Sequence, residues 1–415
     1  MSQIILIFLP LALPFYTVRF HIGSFPTTLL EITLLISLAW WIARIKNDGW
    51  QNSLQRIGKP LCTASVLWLI AGIISIFVAS DHIAALGLWR AYFLEPVLAF
   101  IMLADLTRKN EDARLLLRSL AFATIVLALW AALQTYGLEN IPAPWNAPPE
   151  GIRATSLFPF PNALALFCVP AAILFFSLLI NRKKELISPA LAVLAFAAGI
   201  AATFFAKSDG GLIALCAAIF VALFALRKTR WLSIALVIIS CVAVLAIPQV
   251  KQTLSDQIMF REWSGKVRLV MWDETVAMLR TRPILGAGLG AFPAAIAPYH
   301  AATWMEIFQY PHNILLNLWS ETGLLGLFAF GWILLAWWRR GRLLALPIIT
   351  AIIVHGIVDV PYFKNDLAVL FWILVVATLA CTENGATHTF AICADRIDLE
   401  ISENDRGDKI IEKGA

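Results

Sequence analysis

A helix needs about 20 apolar residues to cross the roughly 30 Å hydrocarbon core of a bilayer, and this chain offers runs of that kind along most of its length. Apolar runs of about 17 to 25 residues fall at 3–20, 27–45, 60–80, 83–105, 115–137, 162–180, 189–206, 210–226, 231–248, 313–337, 343–360 and 366–382. Within lipid a lone segment satisfies its own backbone N–H and C=O groups only as a helix. With 60% hydrophobic and 14% charged residues among 415, the chain holds more apolar surface than a soluble core can take up. The sequence therefore predicts an all-α, polytopic integral membrane protein with about twelve transmembrane helices. The first run also looks like a secretory signal, but it has no basic n-region and Pro10 and Pro14 interrupt it, so it reads as a span.

Charge orients the array. Connections after even-numbered runs carry Arg44, Lys46, Arg56 and Lys59; Arg108, Lys109, Arg114 and Arg118; Arg182, Lys183 and Lys184; Arg227, Lys228 and Arg230; and Arg339, Arg340 and Arg342. The short connections after odd-numbered runs offer only Arg19, Arg153, Lys207 and Lys364. The positive-inside rule then places the even connections and both termini in the cytoplasm of an inner-membrane protein. The net charge of +5 follows from this topology and gives no reason to expect nucleic acid. None of the six cysteines is placed for an outside disulfide, and no pair has metal-ligand spacing.

Three segments break the membrane rhythm. The loop 138–161 is rich in proline and suits a rigid surface loop. The loop 249–312 is a large periplasmic connection, long enough for short helices of its own. Within it KVRLVMWDETVAMLRTR predicts an amphipathic helix, with Val267, Val270, Met271, Val276 and Leu279 apolar and Arg268 and Trp272 on one side. Pro283 and the glycines at 286, 288 and 290 then stop it and begin an ordered turn. The tail 383–415 is polar, of mixed charge, and reads as a disordered cytoplasmic end beyond a membrane domain at 1–382.

On this topology Arg153, Lys207, Asp209, Arg268, His312, Asp359 and Lys364 gather at the outer face from separate connections. Such a basic cluster suits an anionic lipid-linked ligand. From Asn313 a helix begins whose Asn317, Ser320 and Glu321 share a face; lipid cannot satisfy them, so they face protein or water, as helix-to-helix hydrogen-bonding groups or as part of a site. His312 sits just before that helix. It is either a capping histidine or a base able to take a proton from a sugar hydroxyl. Arg153 and Arg268 could clamp a pyrophosphate, because the guanidinium fork matches phosphate oxygens. His355 and Asp359, four apart, could pair along one helix. Arg90 and Glu95, five apart, should point to different faces.

HNILLNLWSETGLLGLFAF resembles the signature of the O-antigen ligase and O-antigen polymerase superfamily, in which His-Asn opens a helix and Glu-x-Gly-x-x-Gly follows. RATSLFPFPNALAL, GKVRLVMWDETVAMLRTRPILGAGLGAF and HGIVDVPYFKND look like its accompanying segments, in order, over roughly residues 60 to 380. The resemblance implies a metal-independent, inverting glycosyltransferase without cofactors. Such an enzyme moves a glycan from a polyprenyl (undecaprenyl) diphosphate carrier to a glycan or lipid acceptor, as in lipopolysaccharide or other envelope polysaccharide biosynthesis. His312 would be the base or acceptor-positioning residue and Arg268 a diphosphate ligand. Arg153, Lys207 and Asn313 would join the substrate site, supported by Glu321, His355 and Asp359. Where many members carry Ser-Arg-Gly, this chain has Ser208, Asp209 and Gly210, and Lys207 could replace that arginine only as a point charge. A polysaccharide polymerase or a protein O-oligosaccharyltransferase of the same group fits the pattern equally well. From another class, a transporter or flippase of about twelve helices remains open, although its polar residues would be expected nearer the bilayer midplane.

Overall fold

The computed structural model describes residues 1–382 apart from residues 24, 46, 148–150, 248, 250–251, 253–254 and 258; the tail 383–415 lies outside the described residues. Helix α1 (Ser2–Ala12) passes into a 3-10 turn (Leu13–Thr17) at Pro14. A hairpin follows, β1 (Arg19–Ile22) antiparallel to β2 (Phe25–Thr28). It corrects the all-α reading in one place: Pro14 removes a backbone donor from the helix, and the residues after it pair as strands. Helix α2 (Leu29–Arg44) restarts on a capping box, with Glu31 N–H donating to Thr28 Oγ1 (3.1 Å) and Thr28 N–H to Glu31 Oε2 (3.1 Å).

Next come α3 (Asn47–Ile57), α4 (Lys59–Val78), α5 (His82–Trp89), a π-helical turn (Arg90–Leu94), α6 (Glu95–Leu106), α7 (Asn110–Thr135), α8 (Pro161–Ile180), α9 (Pro189–Phe205), α10 (Asp209–Ala225) and α11 (Arg230–Ala246). The chain then forms α12 (Trp263–Thr281), α13 (Phe292–Ile296), α14 (Ile314–Gly356) and α15 (Asn365–Thr382).

Among the described residues six helices are long and apolar enough to cross a membrane: α4, the continuous α5–α6, α7, α8, α14 and α15. Two expected spans, 313–337 and 343–360, fall largely on the 43-residue α14, which is broken at Arg342 (φ 45°, ψ −121°) and ends at Gly356. The five other expected spans form helices of 11 to 17 residues, at or below the lower end of the roughly 17 to 25 that a crossing takes. Six candidate crossings therefore stand on length and composition among the described residues, and one of them, α14, holds two of the expected spans.

The π-helical turn also corrects the reading of Arg90 and Glu95. Its i→i+5 spacing turns both to one side, so that Arg90 Nε lies 3.3 Å from Glu95 Oε1 while Nη2 lies 3.1 Å from Glu31 Oε2.

Helices α8 and α15 form the centre; every residue from Ala163 to Phe175 and from Asp366 to Cys381 is buried. Around them packs an aromatic layer in which Trp68 and Trp372 both donate indole N–H groups to the Tyr362 hydroxyl (3.2 Å each), which donates onward to Tyr92 O (3.0 Å).

The glycine-rich turn after α12 docks onto a second break in α14, at Gly323 (φ 65°). Leu324 N–H, displaced from the helical ladder, donates to Ile284 O (2.9 Å), and Ala287 N–H donates to Ser320 O (2.7 Å). Gly290 N–H donates to Glu321 Oε2 (2.5 Å). Glu321 is thus a buried clasp between loop and helix, and Asn317 and Ser320 are buried beside it.

Gly286 adopts φ +69°, and a Cβ there would lie 2.4 Å from Trp319 O. Gly286→Ala should therefore lower stability by about 2–4 kcal/mol, through left-handed strain and a backbone clash. Gly331 has open space around it, and Gly331→Ala should be neutral or stabilising by up to about 1 kcal/mol. Thermal unfolding of the detergent-solubilised variants checks the contrast.

Candidate active site

The site is assembled around the short segment between α14 and α15. Three side chains from separate elements pin it. Asn313 Nδ2 donates to Ile357 O (3.0 Å), Arg268 Nε to Val358 O (2.9 Å), and Asn162 Nδ2 to Asp359 Oδ2 (3.1 Å). Asp359 Oδ1 accepts from Val360 N–H (2.8 Å) and faces His312 Nδ1 at 3.4 Å. Tyr362 anchors the segment's far end in the aromatic layer.

His312 has left-handed backbone (φ 46°), uncommon for a residue with a Cβ and a mark of positions fixed for function. It is not the helix cap. Asn313 takes that role, its Oδ1 accepting from Leu315 N–H (3.0 Å) and Leu316 N–H (3.1 Å). The imidazole is packed between the rings of Phe308 and Tyr310, with centroids 5.5 and 4.7 Å away. With Nδ1 turned to the carboxylate, Nε2 is left with no protein partner among the described residues. A carboxylate beside Nδ1 favours the proton on that nitrogen and the lone pair on Nε2.

Burial by itself would raise the pKa of Asp359, but the contact with His312 and the charges of His312, His355 and Lys364 outweigh it, so the net direction is down. His355 and Asp359 do not form the expected i,i+4 pair, because α14 ends at Gly356; the carboxylate turns to His312 and His355 stays buried in the helix.

Helix α12 delivers Arg268. Its buried stripe is Met271, Glu274, Thr275, Met278 and Leu279. Val276, expected on the apolar face, is 36% exposed, since five residues from Met271 is about 140° around the helix. Arg268 and Trp272 do share a side: Trp272 Nε1 donates to Pro311 O (2.9 Å), just before His312. Arg268 Nη1 donates to Ser264 Oγ (3.1 Å), and Nη2 has no protein partner among the described residues.

Arg153 serves the protein. It donates from Nε to Ala206 O (3.1 Å) and from Nη2 to Lys207 O (3.3 Å) and Asn162 Oδ1 (3.1 Å), and it stacks over Trp145 at 5.3 Å. It thereby connects the turn before α10 to Asn162 and so to Asp359. Lys207, with φ 47°, carries an exposed side chain. Lys364 has a buried ammonium 3.4 Å from the centroid of the Phe160 ring, and burial pulls its pKa down to about 8.

The structure therefore links Arg153, Arg268, His312 and Asp359 around one segment, while Lys207 contributes only its carbonyl, and Asn162 is the connector that sequence reading passes over. Its signal was present in the Pro-Asn of FPFPNALAL, but an asparagine at a helix start is indistinguishable from a cap until Asp359 is seen opposite it. Among the described residues no three His, Cys, Asp or Glu side chains are grouped to hold a metal ion.

A carboxyl whose folded pKa lies below its unfolded value, about 4, contributes stability above that value and loses it as pH falls towards the folded one. Wild type should therefore lose thermal stability below about pH 4 more steeply than Asp359→Asn, which should start lower at neutral pH and show a shallower acid limb. Melting temperature against pH measures both slopes.

Residues 194–331 match the family model described as O-Antigen ligase; no curated protein matches the chain. The matched stretch runs from within α9 through α10, α11, α12 and α13 to the broken first half of α14, and holds Lys207, Arg268, His312, Asn313 and Glu321. Over this stretch, about a third of the chain, the match supports membership of the O-antigen ligase-like family.

Proposed function

We propose that the protein is an O-antigen ligase-type glycosyltransferase of the inner membrane, which moves a glycan from a polyprenyl diphosphate to an acceptor hydroxyl at a site on the periplasmic face. The observation that carries this reading is the His312–Asp359 pair, with Arg268 holding the carbonyl of Val358 next to Asp359. The acceptor hydroxyl gives its proton to His312 Nε2 as its oxygen attacks the anomeric carbon, and Asp359 steadies the imidazolium. The bond from that carbon to the diphosphate oxygen breaks, the configuration inverts, and the polyprenyl diphosphate departs with the electron pair. Arg268 meets the charge that develops there, and a fixed guanidinium does so with little reorganisation. Arg153 acts at one remove, holding Asn162 and through it Asp359; Lys207 offers a mobile positive charge at the mouth. No step needs a metal.

Purified protein with a polyprenyl-diphosphate-linked oligosaccharide, an acceptor and EDTA should transfer glycan. His312→Ala should cut turnover about 10²–10⁴-fold, and Arg268→Ala or Arg268→Lys about 10²–10³-fold. Equal turnover in wild type and His312→Ala would remove the mechanism. Offering a lipid A core, a second lipid-linked repeat and a protein hydroxyl in turn separates ligase, polymerase and protein glycosylation.

A further inference from the structure

A cleft of about 80 Å³ lies where the end of α8 meets the start of α9. Its polar lining is Arg182, Lys183 and Lys184, and its apolar wall includes Leu178, Ile187 and Ala192. The connector that shapes it is ordered. Arg182 takes left-handed backbone (φ 55°), its N–H donates to Leu179 O (3.0 Å), Lys183 N–H donates to Leu178 O (3.0 Å), and Leu186 and Ile187 are buried. Arg114 of α7 braces the connector from the side, its Nε donating to Glu185 O (2.5 Å). The Glu185 carboxylate stands 4.0 Å from Lys183 Nζ, whereas the Arg182 and Lys184 head groups have no protein partner among the described residues. Over the whole neighbourhood, residues 181–188 carry three cations against Glu185, and residues 108–118 carry four against Glu111 and Asp112. Asp112 Oδ2 is already occupied by Lys109 N–H (3.3 Å). Positive charge is in excess on both sides of the cleft.

Positive-inside sorting accounts for cations in such a connection, but not for a cleft between two helices that is lined by them. Basic clefts between membrane helices suit the headgroups of anionic lipids. Apolar surface continues from this one. Val193, Ala197 and Phe204 of α9 are exposed, and at steps of four and seven residues they share one face of the helix. Leu179 follows Asn162 by seventeen residues, about 25 Å along α8, so the cleft lies at the end of the bundle away from the His312–Asp359 pair. We propose that the cleft binds an anionic membrane phospholipid, its phosphodiester against Arg182 and Lys184 and its acyl chains along the exposed face of α9. The site stands independently of the glycosyl-transfer reading. A soluble phosphate compound would meet the same cations but leave the apolar stripe uncovered. A zwitterionic lipid would bring its own cation to a cleft that already holds several.

Native mass spectrometry of the full-length protein in detergent, titrated with one lipid at a time, tests this. Wild type should retain phosphatidylglycerol at least about tenfold more tightly than phosphatidylcholine. Arg182→Gln combined with Lys184→Gln should weaken phosphatidylglycerol binding about 25-fold, roughly fivefold for each cation. Arg227→Gln combined with Lys228→Gln removes the same charge from the connection between α10 and α11 and should bind as wild type does. Equal loss in the two double variants would assign the binding to general surface charge and overturn the site, as would equal retention of both lipids by wild type. Glycerophosphoglycerol, the same headgroup without acyl chains, should not be retained. If it binds as tightly as the whole lipid, the occupant is a soluble phosphate compound and the proposal fails.

Discussion

The contact between the Asp359 carboxylate and the His312 imidazole organises this molecule's polar end. Neither residue could hold its place alone. A buried carboxylate is costly unless it is paired and hydrogen-bonded, and Asp359 has His312, Asn162 and the Val360 amide around it. His312 stands in left-handed backbone that the flanking structure must enforce. The cost of each is offset by groups brought from α8, α12 and both ends of α14, so the pair forms only when those elements have docked.

Two other buried carboxylates do comparable work. Glu321 receives the amide of Gly290 and locks the turn after α12 onto the break in α14. Glu274 receives two amides from the segment that leads to His312. Both tie irregular backbone to a helix by hydrogen bonds from backbone amides to a side-chain carboxyl oxygen. The loop is thereby held against the bundle at both ends of the path from Arg268 to His312, which is how a scaffold keeps reacting groups in register.

The sequence was most legible where one period decided the outcome. The apolar runs of α4 to α8 and α15 lie within a few residues of the spans read from hydropathy, because segment length and composition alone determine that class. Asn313 at the start of a helix and Pro283 at the end of another were equally direct, since capping and proline chemistry are local. Legibility failed where geometry departs from the standard period. The π-helical turn at Arg90 makes five residues a pairing distance, and the helix end at Gly356 denies His355 its four-residue partner. The hairpin at 19–28 occupies the connection between the first two apolar runs and takes two residues from each.

The sequence by itself determined that the chain is helical, rich in membrane-length segments, and polar in a few connections that include His312 and Arg268. Those properties follow from residue type and spacing along one element. Only the tertiary structure decided which polar residue meets which: that Asp359 turns to His312, that Asn162 joins it to Arg153, and that Glu321 holds a glycine turn. These contacts join residues from nine to 197 positions apart, and an ion pair or hydrogen bond acts over a few ångströms regardless of sequence separation. No local pattern can encode such a pairing; it arises when packed helices bring the two chains of atoms together.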